Sequence, residues 1–245
     1  MDADIEKAAQ WIRQSKHTTV FTGAGISVES EIPPFRGEGG LWNKYDPSIA
    51  DIGYFRAHPQ ESWQWIKKIF YDGWGTKKPN RAHQGVAELE KMGFVKAVIT
   101  QNIDCLHQKA GSRTVYEFHG TLEYLICGLC RNRTLAREVP LDSLPPKCGP
   151  CGGILRPDFV FFGEGIPEPA RSLSFQEAWN AEVFLVIGTT GEVMPACQIP
   201  VMAKNNYAKI IEINIAPSTY THTITDIFLK GKAAEIMEKL CTRLR

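Results

Sequence analysis

Four cysteines fall into two Cys-x-x-Cys pairs, Cys127 with Cys130 and Cys148 with Cys151. On tight turns, each pair presents two thiolates to one ion, and two such pairs complete a tetrahedral zinc site. Four thiolates leave no coordination position free for water, so the spacing predicts a structural zinc ion that takes no part in catalysis. Two unrelated cysteine pairs and a zinc ribbon that binds nucleic acid are the alternatives.

A glycine turn, residues 22–27 with the sequence Thr-Gly-Ala-Gly-Ile-Ser, follows an apolar stretch and is expected to open a helix. The first turn of a helix aims free backbone N–H groups at a phosphate, and glycine lets a pyrophosphate approach closely. Arg36 is a candidate cation beside it. The third glycine of the dinucleotide fingerprint is absent, so a plain connection and a surface arginine stay open as alternatives.

Two further groups of polar residues stand where strands are expected to end. Gln101, Asn102 and Asp104 carry amide and carboxylate groups that could hydrogen-bond a carboxamide and a ribose, although polar strand ends are also common in ordinary loops. His119 follows a short strand predicted over 115–117. An imidazole titrates near neutrality, so His119 is a candidate general base, with a structural histidine as the alternative.

The segment 159–164, Phe-Val-Phe-Phe-Gly-Glu, is apolar until the glycine ends it. It is either a core strand or an exposed edge that accepts an extended peptide. The residues alone do not decide between the two.

The apolar pattern predicts the scaffold that positions these groups. Short apolar stretches, each followed by a polar or glycine-rich turn, are expected to be buried strands at 18–21, 94–99, 183–187 and 209–213. Helical spacing of apolar residues marks 4–16, 80–92 and the residues from 231 onward. Strands separated by helices predict an α/β fold, a Rossmann-like parallel sheet with helices on both faces, whose ligands bind at the carboxyl ends of the strands.

Two segments interrupt this alternation: 37–79, rich in Gly, Trp and Tyr, and 120–155, which holds the cysteine pairs. We predict that both are insertions and that together they form a small lobe, the first part helical and the second a zinc ribbon. Residues 1–36, 80–119 and 156–245 then make up the Rossmann-like domain.

The composition excludes several classes of partner. The 245 residues are 43% hydrophobic, enough for a full core, and 28 basic against 27 acidic side chains give a formal charge of +1, which does not indicate a nucleic-acid groove. No apolar run approaches the ~20 residues of a spanning helix, and the N-terminus lacks a signal-peptide pattern. Seven cysteines, an odd number, do not suggest a disulfide framework. We therefore expect a cytoplasmic protein with neither a membrane nor a nucleic-acid partner.

Taken together and in this order, the motifs resemble the sirtuin family of NAD-dependent protein deacylases, in its prokaryotic type. The resemblance spans nearly the whole chain, from Phe21 to Ala233. Besides the four cysteines, the segments that carry it are 23–27 (Gly-Ala-Gly-Ile-Ser), 32–37 (Ile-Pro-Pro-Phe-Arg-Gly), 101–104 (Gln-Asn-Ile-Asp), 119–120 (His-Gly), 162–164 (Phe-Gly-Glu), 188–190 (Gly-Thr-Thr) and 231–233 (Gly-Lys-Ala).

The resemblance implies a role for each motif. NAD would be a consumed co-substrate, His119 and Asn102 would be the catalytic residues, and the zinc ion would be structural. The residues that it assigns to NAD are Gly23, Ala24, Ser27, Phe35, Arg36, Gln101, Asn102, Ile103, Asp104, Gly188, Thr189, Thr190, Asn214, Ile215 and Ala233. The residues that it assigns to an acyl-lysine protein or peptide are Val160, Phe162, Gly163, Glu164 and Val193.

The implied reaction removes an acyl group, acetyl foremost, from a lysine side chain. An amide oxygen is a poor nucleophile, so it needs the ribose C1′ with nicotinamide as leaving group, held close in a reactive pose. The 2′-hydroxyl then attacks while His119 removes a proton through the ribose hydroxyls, and after the uptake of one water molecule the products are free lysine, nicotinamide and O-acyl-ADP-ribose. An apolar channel around the lysine keeps water away from the intermediate.

Several residues depart from the family pattern: Glu31, Pro34, Thr190 and the pair Gly191-Glu192. Glu31 stands where the family has a glycine. If the backbone there needs a positive φ, the substitution costs about 1–2 kcal/mol. We expect these departures to affect efficiency and peptide preference rather than the type of reaction.

The acyl group can also be predicted. Family members that favour acidic acyl chains carry a tyrosine and an arginine in the helix after the tryptophan that aligns with Trp63. Ile66 and Ile69 stand at those places in this chain. An apolar pair offers no partner for a carboxylate, whose unpaired burial is unfavourable, so we predict neutral acyl groups.

Two other functions stay open. Hydrolysis of NAD, or mono-ADP-ribosyl transfer to a protein, would use the same cleft, and nicotinamide release without acyl-peptide would favour it. The second is a catalytically inactive reader that makes contacts through its zinc ribbon. The presence of His119, Asn102 and Asp104 argues against that reader.

Overall fold

The computed structural model describes residues 1–37 and 39–245. The strands in this part of the chain are β1 Thr18–Thr22, β2 Val95–Thr100, β3 Val115–Glu117, β4 Gly120–Cys127, β5 Arg133–Leu135, β6 Leu155–Phe159, β7 Val183–Ile187, β8 Lys209–Asn214 and β9 Ile227–Lys230. The helices are α1 Asp2–Gln14, α2 Ile52–Ala57, α3 Pro59–Ile66, α4 Asp72–Trp74, α5 Arg81–Lys91, α6 Leu106–Ala110, α7 Ala170–Asn180, α8 Gln198–Asn205 and α9 Ala233–Leu244. Short 3-10 helices at Ala24–Ser30, Leu41–Asn43, Pro47–Ala50 and Ala136–Glu138, and a π-helical turn at Lys67–Tyr71, lie between them.

The large sheet contains six parallel strands in the order β3-β2-β1-β7-β8-β9. Every residue of β1 and β7 is buried, because α1, α5 and α9 pack on one face of the sheet and α7 and α8 on the other. The predicted Rossmann-like fold is confirmed. The ends of the predicted strands differ from the observed ones by no more than one residue.

The helices follow from the sequence pattern as well. In α1, the buried residues Ile5, Ala8, Ala9 and Ile12 recur every three or four positions, so one face of the helix meets the sheet. The N-terminus of α5 is closed by Asn80, whose Oδ1 accepts from the backbone N–H of Ala82 at 2.8 Å. No helix within the described residues combines the length and the apolar character needed to cross a membrane.

A second, smaller sheet is antiparallel, in the order β5-β4-β6. It shares an apolar core with the helices of segment 52–74, a core that includes Trp63, Phe70 and Phe161. The indole N–H of Trp63 donates to Leu155 O at 2.8 Å and so joins the helical part of this lobe to β6. Because β6 continues to Phe159, the division between domains at residue 155 stays a prediction.

Candidate active site

The carboxyl ends of β1, β2, β7 and β8 meet at one edge of the large sheet. Gln101 donates from its backbone N–H to Thr22 O at 2.9 Å and from Nε2 to Thr189 Oγ1 at 3.1 Å. At the end of β8, Asn214 donates from Nδ2 to Thr189 O at 2.9 Å. The structure therefore brings together polar residues that the sequence analysis found at separate strand ends.

The glycine turn after β1 packs directly on the turn after β7. Gly25 N donates to Gly188 O at 2.8 Å. A Cβ atom on Gly25 would lie 2.6 Å from Gly188 Cα, and one on Gly23 would lie 2.7 Å from Gly188 O. Close backbone contact between two turns thus requires glycine here, in addition to any approach of a pyrophosphate. Ala24, which follows, begins a 3-10 helix with Gly23 as its N-cap, where an ordinary helix was expected.

Ser27, Asn102 and Asp104 form a buried hydrogen-bonded group under the glycine turn. The Ser27 hydroxyl donates to Asp104 Oδ2 at 2.7 Å, and Asn102 donates from Nδ2 to Ser27 Oγ at 3.2 Å and to Gly23 O at 3.1 Å. Burial raises the pKa of the Asp104 carboxyl, while the hydrogen bonds that it accepts from Leu106 N and Ser27 oppose this effect. Amide and carboxylate are therefore held in fixed positions for a ligand that approaches the turn.

The sequence analysis missed His83, which belongs to this group. Its Nδ1 accepts from Asn80 N at 3.3 Å, so the proton of the neutral ring is on Nε2, which donates to Ser27 Oγ at 3.4 Å. Burial lowers the pKa of His83 to about 4, so the ring is neutral at pH 7. The position three residues after Asn80 indicated a capping box, but not the contact with Ser27.

A second buried histidine, His107, packs edge-on against His83 with 5.0 Å between the ring centroids. Its Nε2 lies 3.0 Å from Thr22 Oγ1, which donates to Thr100 Oγ1 at 2.8 Å. Burial keeps the pKa of His107 well below the usual value for histidine. Both rings are therefore neutral packing elements behind the polar strand ends.

His119, the predicted general base, has a fixed tautomer. Its Nδ1 lies 3.0 Å from Gln101 O. A carbonyl only accepts, so Nδ1 carries the proton and Nε2 keeps a free lone pair. Burial lowers the pKa of His119, opposed by the hydrogen bond to Gln101, and this keeps the ring neutral and able to take a proton at pH 7.

The predicted substrate wall begins directly beside His119. Val160 N donates to His119 O at 2.8 Å. Two residues on, Phe162 N donates to Ala50 O at 2.8 Å, and Phe162 O accepts from Ile52 N at 3.1 Å. The Phe162 side chain is exposed and lies 6.1 Å from the ring of Trp42. The segment after β6 is thus neither a plain core strand nor a free edge, because one side of it is paired with segment 50–52.

Glu164 does not extend towards solvent. Its Oε2 lies 2.6 Å from Arg156 Nη1 and accepts from Phe161 N at 3.1 Å. Arg156 reaches it from β6 and lies over the ring of Phe161, 5.3 Å from the centroid. The ion pair closes the chain reversal at Gly163, which has a φ of 86°.

Val193 lies half-buried in the connection from β7 to α8. The loop after β8 holds this connection: Tyr220 Oη donates to Cys197 O at 3.0 Å, and Thr219 Oγ1 donates to Gly191 O at 3.1 Å. Gly191 has a φ of 76°, a conformation that suits glycine rather than the aliphatic residue of the family pattern.

The other residues assigned to NAD lie around the same edge. Phe35 is half-buried between two tryptophan rings, with centroid distances of 5.5 Å to Trp42 and 5.9 Å to Trp74. Among the other residues assigned to NAD, three have exposed side chains: Arg36, Thr190 and Ile215. Ile103 and Ala233 are buried. Within residues 1–37 and 39–245, the three exposed side chains form no hydrogen bond with the buried group around Ser27.

The four cysteines come together as predicted. Their sulfur atoms all lie within 4.8 Å of one another. Cys127 and Cys151 are 3.5 Å apart, and Cys130 and Cys148 are 3.7 Å apart. Tetrahedral coordination with Zn–S bonds of ~2.3 Å separates sulfurs by about 3.8 Å, so the cluster fits a structural zinc ion.

Glu31 adopts a φ of 61° and a ψ of 27°, in the left-handed region. The position thus has the positive φ that favours glycine, which is the condition under which we expected the substitution to be unfavourable. Lys77 Nζ lies 2.6 Å from Glu31 Oε2. An exposed ion pair therefore accompanies the strained backbone.

The strand ends of the parallel sheet gather glycine turns, amides and a buried carboxylate, and the neighbouring lobe holds four cysteines arranged as in a structural zinc site. These two features define a dinucleotide-binding protein with a second lobe of the zinc-site type. The model of the Sir2 family matches residues 23–195. The chain belongs to the Sir2 family.

The similarity to known proteins covers nearly the whole chain. NAD-dependent protein deacylase 2 of Pyrobaculum aerophilum is 43% identical over 241 residues, which cover 97% of this chain and 94% of that protein. A solved Sir2 homologue in complex with NAD is 40% identical, with a TM-score of 0.90 over 98% of this chain and 93% of that one. A Sir2 variant solved with a deacetylated p53 peptide and 3′-O-acetyl-ADP-ribose is 32% identical, with a TM-score of 0.91 over 97% of each chain.

Proposed function

We propose that this chain removes acetyl and other neutral acyl groups from lysine side chains of proteins, consumes NAD, and releases nicotinamide and O-acyl-ADP-ribose. The observation that carries the proposal is the position of His119. Its Nδ1 is bound to Gln101 O at 3.0 Å, and its carbonyl accepts from Val160 N at 2.8 Å. His119 is thus hydrogen-bonded both to Gln101, which we assign to NAD, and to Val160, which we assign to the lysine channel, and these two contacts support its role as the base.

The polar strand ends would hold the nicotinamide end of NAD, which supplies an electrophilic ribose carbon with a good leaving group. Asn102 and Asp104 are fixed by Ser27, so they can orient a carboxamide and a ribose without rearrangement. Gly23 and Gly188 would line the diphosphate at the neighbouring turns. Residues at this edge would hold NAD so that its ribose could be reached by His119.

Proton removal is the role we assign to His119. A ring with its proton fixed on Nδ1 and a lowered pKa is neutral at pH 7 and can accept a proton from a ribose hydroxyl at Nε2. Val160 and Phe162 would line the channel that admits the acylated lysine and excludes water. The relative solved with a deacetylated peptide supports a peptide substrate.

The preference for neutral acyl groups rests on Ile66 and Ile69. Both are buried in the apolar core of the small lobe, at 2% and 5% exposure. A succinyl carboxylate brought to them would lose its hydration without gaining a partner. Turnover of a succinyl-lysine peptide as fast as that of its acetyl counterpart would refute this preference.

The deciding experiment is mass spectrometry of the products formed from NAD and a panel of acyl-lysine peptides. We expect O-acyl-ADP-ribose, nicotinamide and free lysine in equal amounts, with nicotinamide release dependent on the peptide. Release of ADP-ribose at the same rate without peptide would instead identify an NAD hydrolase, and ADP-ribosylated protein a transferase. The cytoplasmic location and the lack of a nucleic-acid partner stay predictions.

A further inference from the structure

A cavity of about 300 Å³ opens on the small lobe, outside the residues assigned to NAD and acyl-lysine. Its aromatic walls are Tyr45, Tyr54 and Trp65, and two carboxylates, Asp46 and Glu61, lie among them. The volume is at the lower end of the range for ligand pockets. It suits one long side chain rather than a cofactor.

The aromatic rings are fixed by their own contacts. Tyr45 packs edge-on against Trp65, with ring centroids 5.3 Å apart. Glu61 and Trp65 are four residues apart in α3 and therefore stand on the same face, one turn from each other. A hydrogen bond from Tyr54 to the Glu61 carboxylate raises the pKa of Tyr54. Carboxylate and rings thus face the same space.

The chemistry of the cavity favours a cation. Aromatic faces attract ammonium groups, and Trp65 already attracts one within the chain, because Lys68 Nζ lies 5.4 Å from its ring centroid. Lys44 also lines the cavity, and together with Lys68 it balances the two carboxylates, so the attraction for a further ammonium group comes from the ring faces and from the nearby Glu61 carboxylate rather than from a net charge. An alkylammonium group finds both a quadrupole and an opposite charge here.

The cavity adjoins the predicted peptide site. Ile49, which lines it, precedes Ala50, whose carbonyl accepts from Phe162 N at 2.8 Å. Ile52 N in turn donates to Phe162 O at 3.1 Å. The segment that forms one side of the cavity is therefore hydrogen-bonded to the segment that would carry the acylated peptide.

We propose that this cavity is a subsite for a second, unmodified lysine side chain of the substrate protein, bound through its ammonium group. The inference rests on the proposed deacylation but names a different contact. It makes the enzyme prefer acyl-lysines that have a free lysine nearby, and it acts on binding rather than on the chemical step.

The first test compares acetyl-lysine peptides of one length in which the flanking positions carry either lysine or glutamine. For the unmodified enzyme we expect a KM about fivefold lower for the lysine-rich peptide, an equal kcat, and a difference that shrinks as salt is raised. Glu61→Gln and Trp65→Leu should reduce the KM difference to below about twofold, while turnover of the glutamine peptide is unchanged. Glu238→Gln removes a comparably exposed carboxylate on α9 and should leave the preference intact.

Equal KM values for the two peptides in the unmodified enzyme overturn the subsite, as does an equal loss of preference in Glu61→Gln and Glu238→Gln. If the enzyme turns over neither peptide, the result contradicts the proposed deacylation rather than the subsite. A second measurement is independent of catalysis: n-butylammonium chloride is added to 15N-labelled protein, with n-butanol as the neutral control. We expect the Trp65 indole signal to shift with the ammonium salt alone, and an equal response to both compounds overturns the proposal.

Discussion

Arg156 Nη1 lies 2.6 Å from Glu164 Oε2 across the chain reversal that follows β6, with 15% and 20% of the two side chains exposed. This ion pair holds the segment that contains Phe162, and it is more protected from water than the other Arg–carboxylate pairs of the described residues. Partly buried charge-assisted hydrogen bonds contribute more than exposed ones. The pair therefore links the stability of β6 to the geometry of the predicted peptide site.

Breaking this pair should affect peptide binding first. Arg156→Ala leaves Glu164 without its cation, and we expect the KM for an acetylated peptide to rise about tenfold, the equivalent of roughly 1.4 kcal/mol, with kcat within about twofold. Arg133→Ala is the matched control, because it breaks the more exposed pair with Asp158 in the same lobe. A KM that rises equally in both variants would show a general effect on the lobe.

His119→Ala should lower kcat/KM by about 10²–10⁴-fold, the usual contribution of a general base, with fold and zinc content unchanged.

The acidic limb of the pH profile of the unmodified enzyme is a further check on His119. The neutral ring is the active form, and burial places its pKa below the ordinary 6.5. Activity should therefore persist through pH 6.5 and fall only at lower pH. An acidic limb centred above pH 6.5 would contradict the assigned environment.

Removal of zinc should unfold the small lobe and spare the large sheet. Binding of a structural zinc ion contributes directly to folding, so a chelator should expose the amides of β4, β5 and β6 to hydrogen exchange. Amides of β1, β7 and β8 belong to a different apolar core and should stay protected. Exchange that increases equally in both sheets would contradict a separate lobe core.

The two buried histidines predict loss of stability in mild acid. Histidine in the unfolded chain titrates near 6.5, whereas burial lowers the pKa of folded His83 to about 4. Below pH 6.5 the unfolded state therefore binds more protons, and stability falls as pH drops towards 4, by up to about 3 kcal/mol for this residue. His107 acts in the same direction.

Denaturation by urea between pH 7 and 5 measures this effect. His83→Gln should flatten the dependence of the unfolding free energy on pH. His222→Gln, at an exposed position, should leave the slope as it is. Identical slopes in the two variants would show that His83 does not carry the effect.

Glu31→Gly should stabilise the protein, because glycine adopts the φ of 61° without a Cβ penalty. We expect Tm to rise on the order of 2 °C by differential scanning calorimetry. Glu31→Ala keeps the strain and loses the ion pair with Lys77, so its Tm should fall. A lower Tm for the glycine variant would mean that the ion pair outweighs the strain.

Local patterns in the sequence determined most of the scaffold. The run of apolar residues in β7 and the spacing of Ile5, Ala8 and Ile12 in α1 each depend on one element and one face, so periodicity alone predicts them. The cysteine spacing predicted the metal cluster for the same reason, because each knuckle is a local turn. The place of His119 after a strand made it a candidate base, and the resemblance to the sirtuin family gave it that role.

Contacts between distant segments were decided only by the tertiary structure. His83 meets Ser27 across 56 residues, and Gly25 meets the backbone of Gly188. Whether a buried polar group finds a partner depends on which elements pack together, and one element's sequence does not contain that information. Glu164 is the clearest example. From the sequence we assigned this residue to substrate binding, but the fold places Arg156 beside it. A nearby cation determines where a partly buried carboxylate lies.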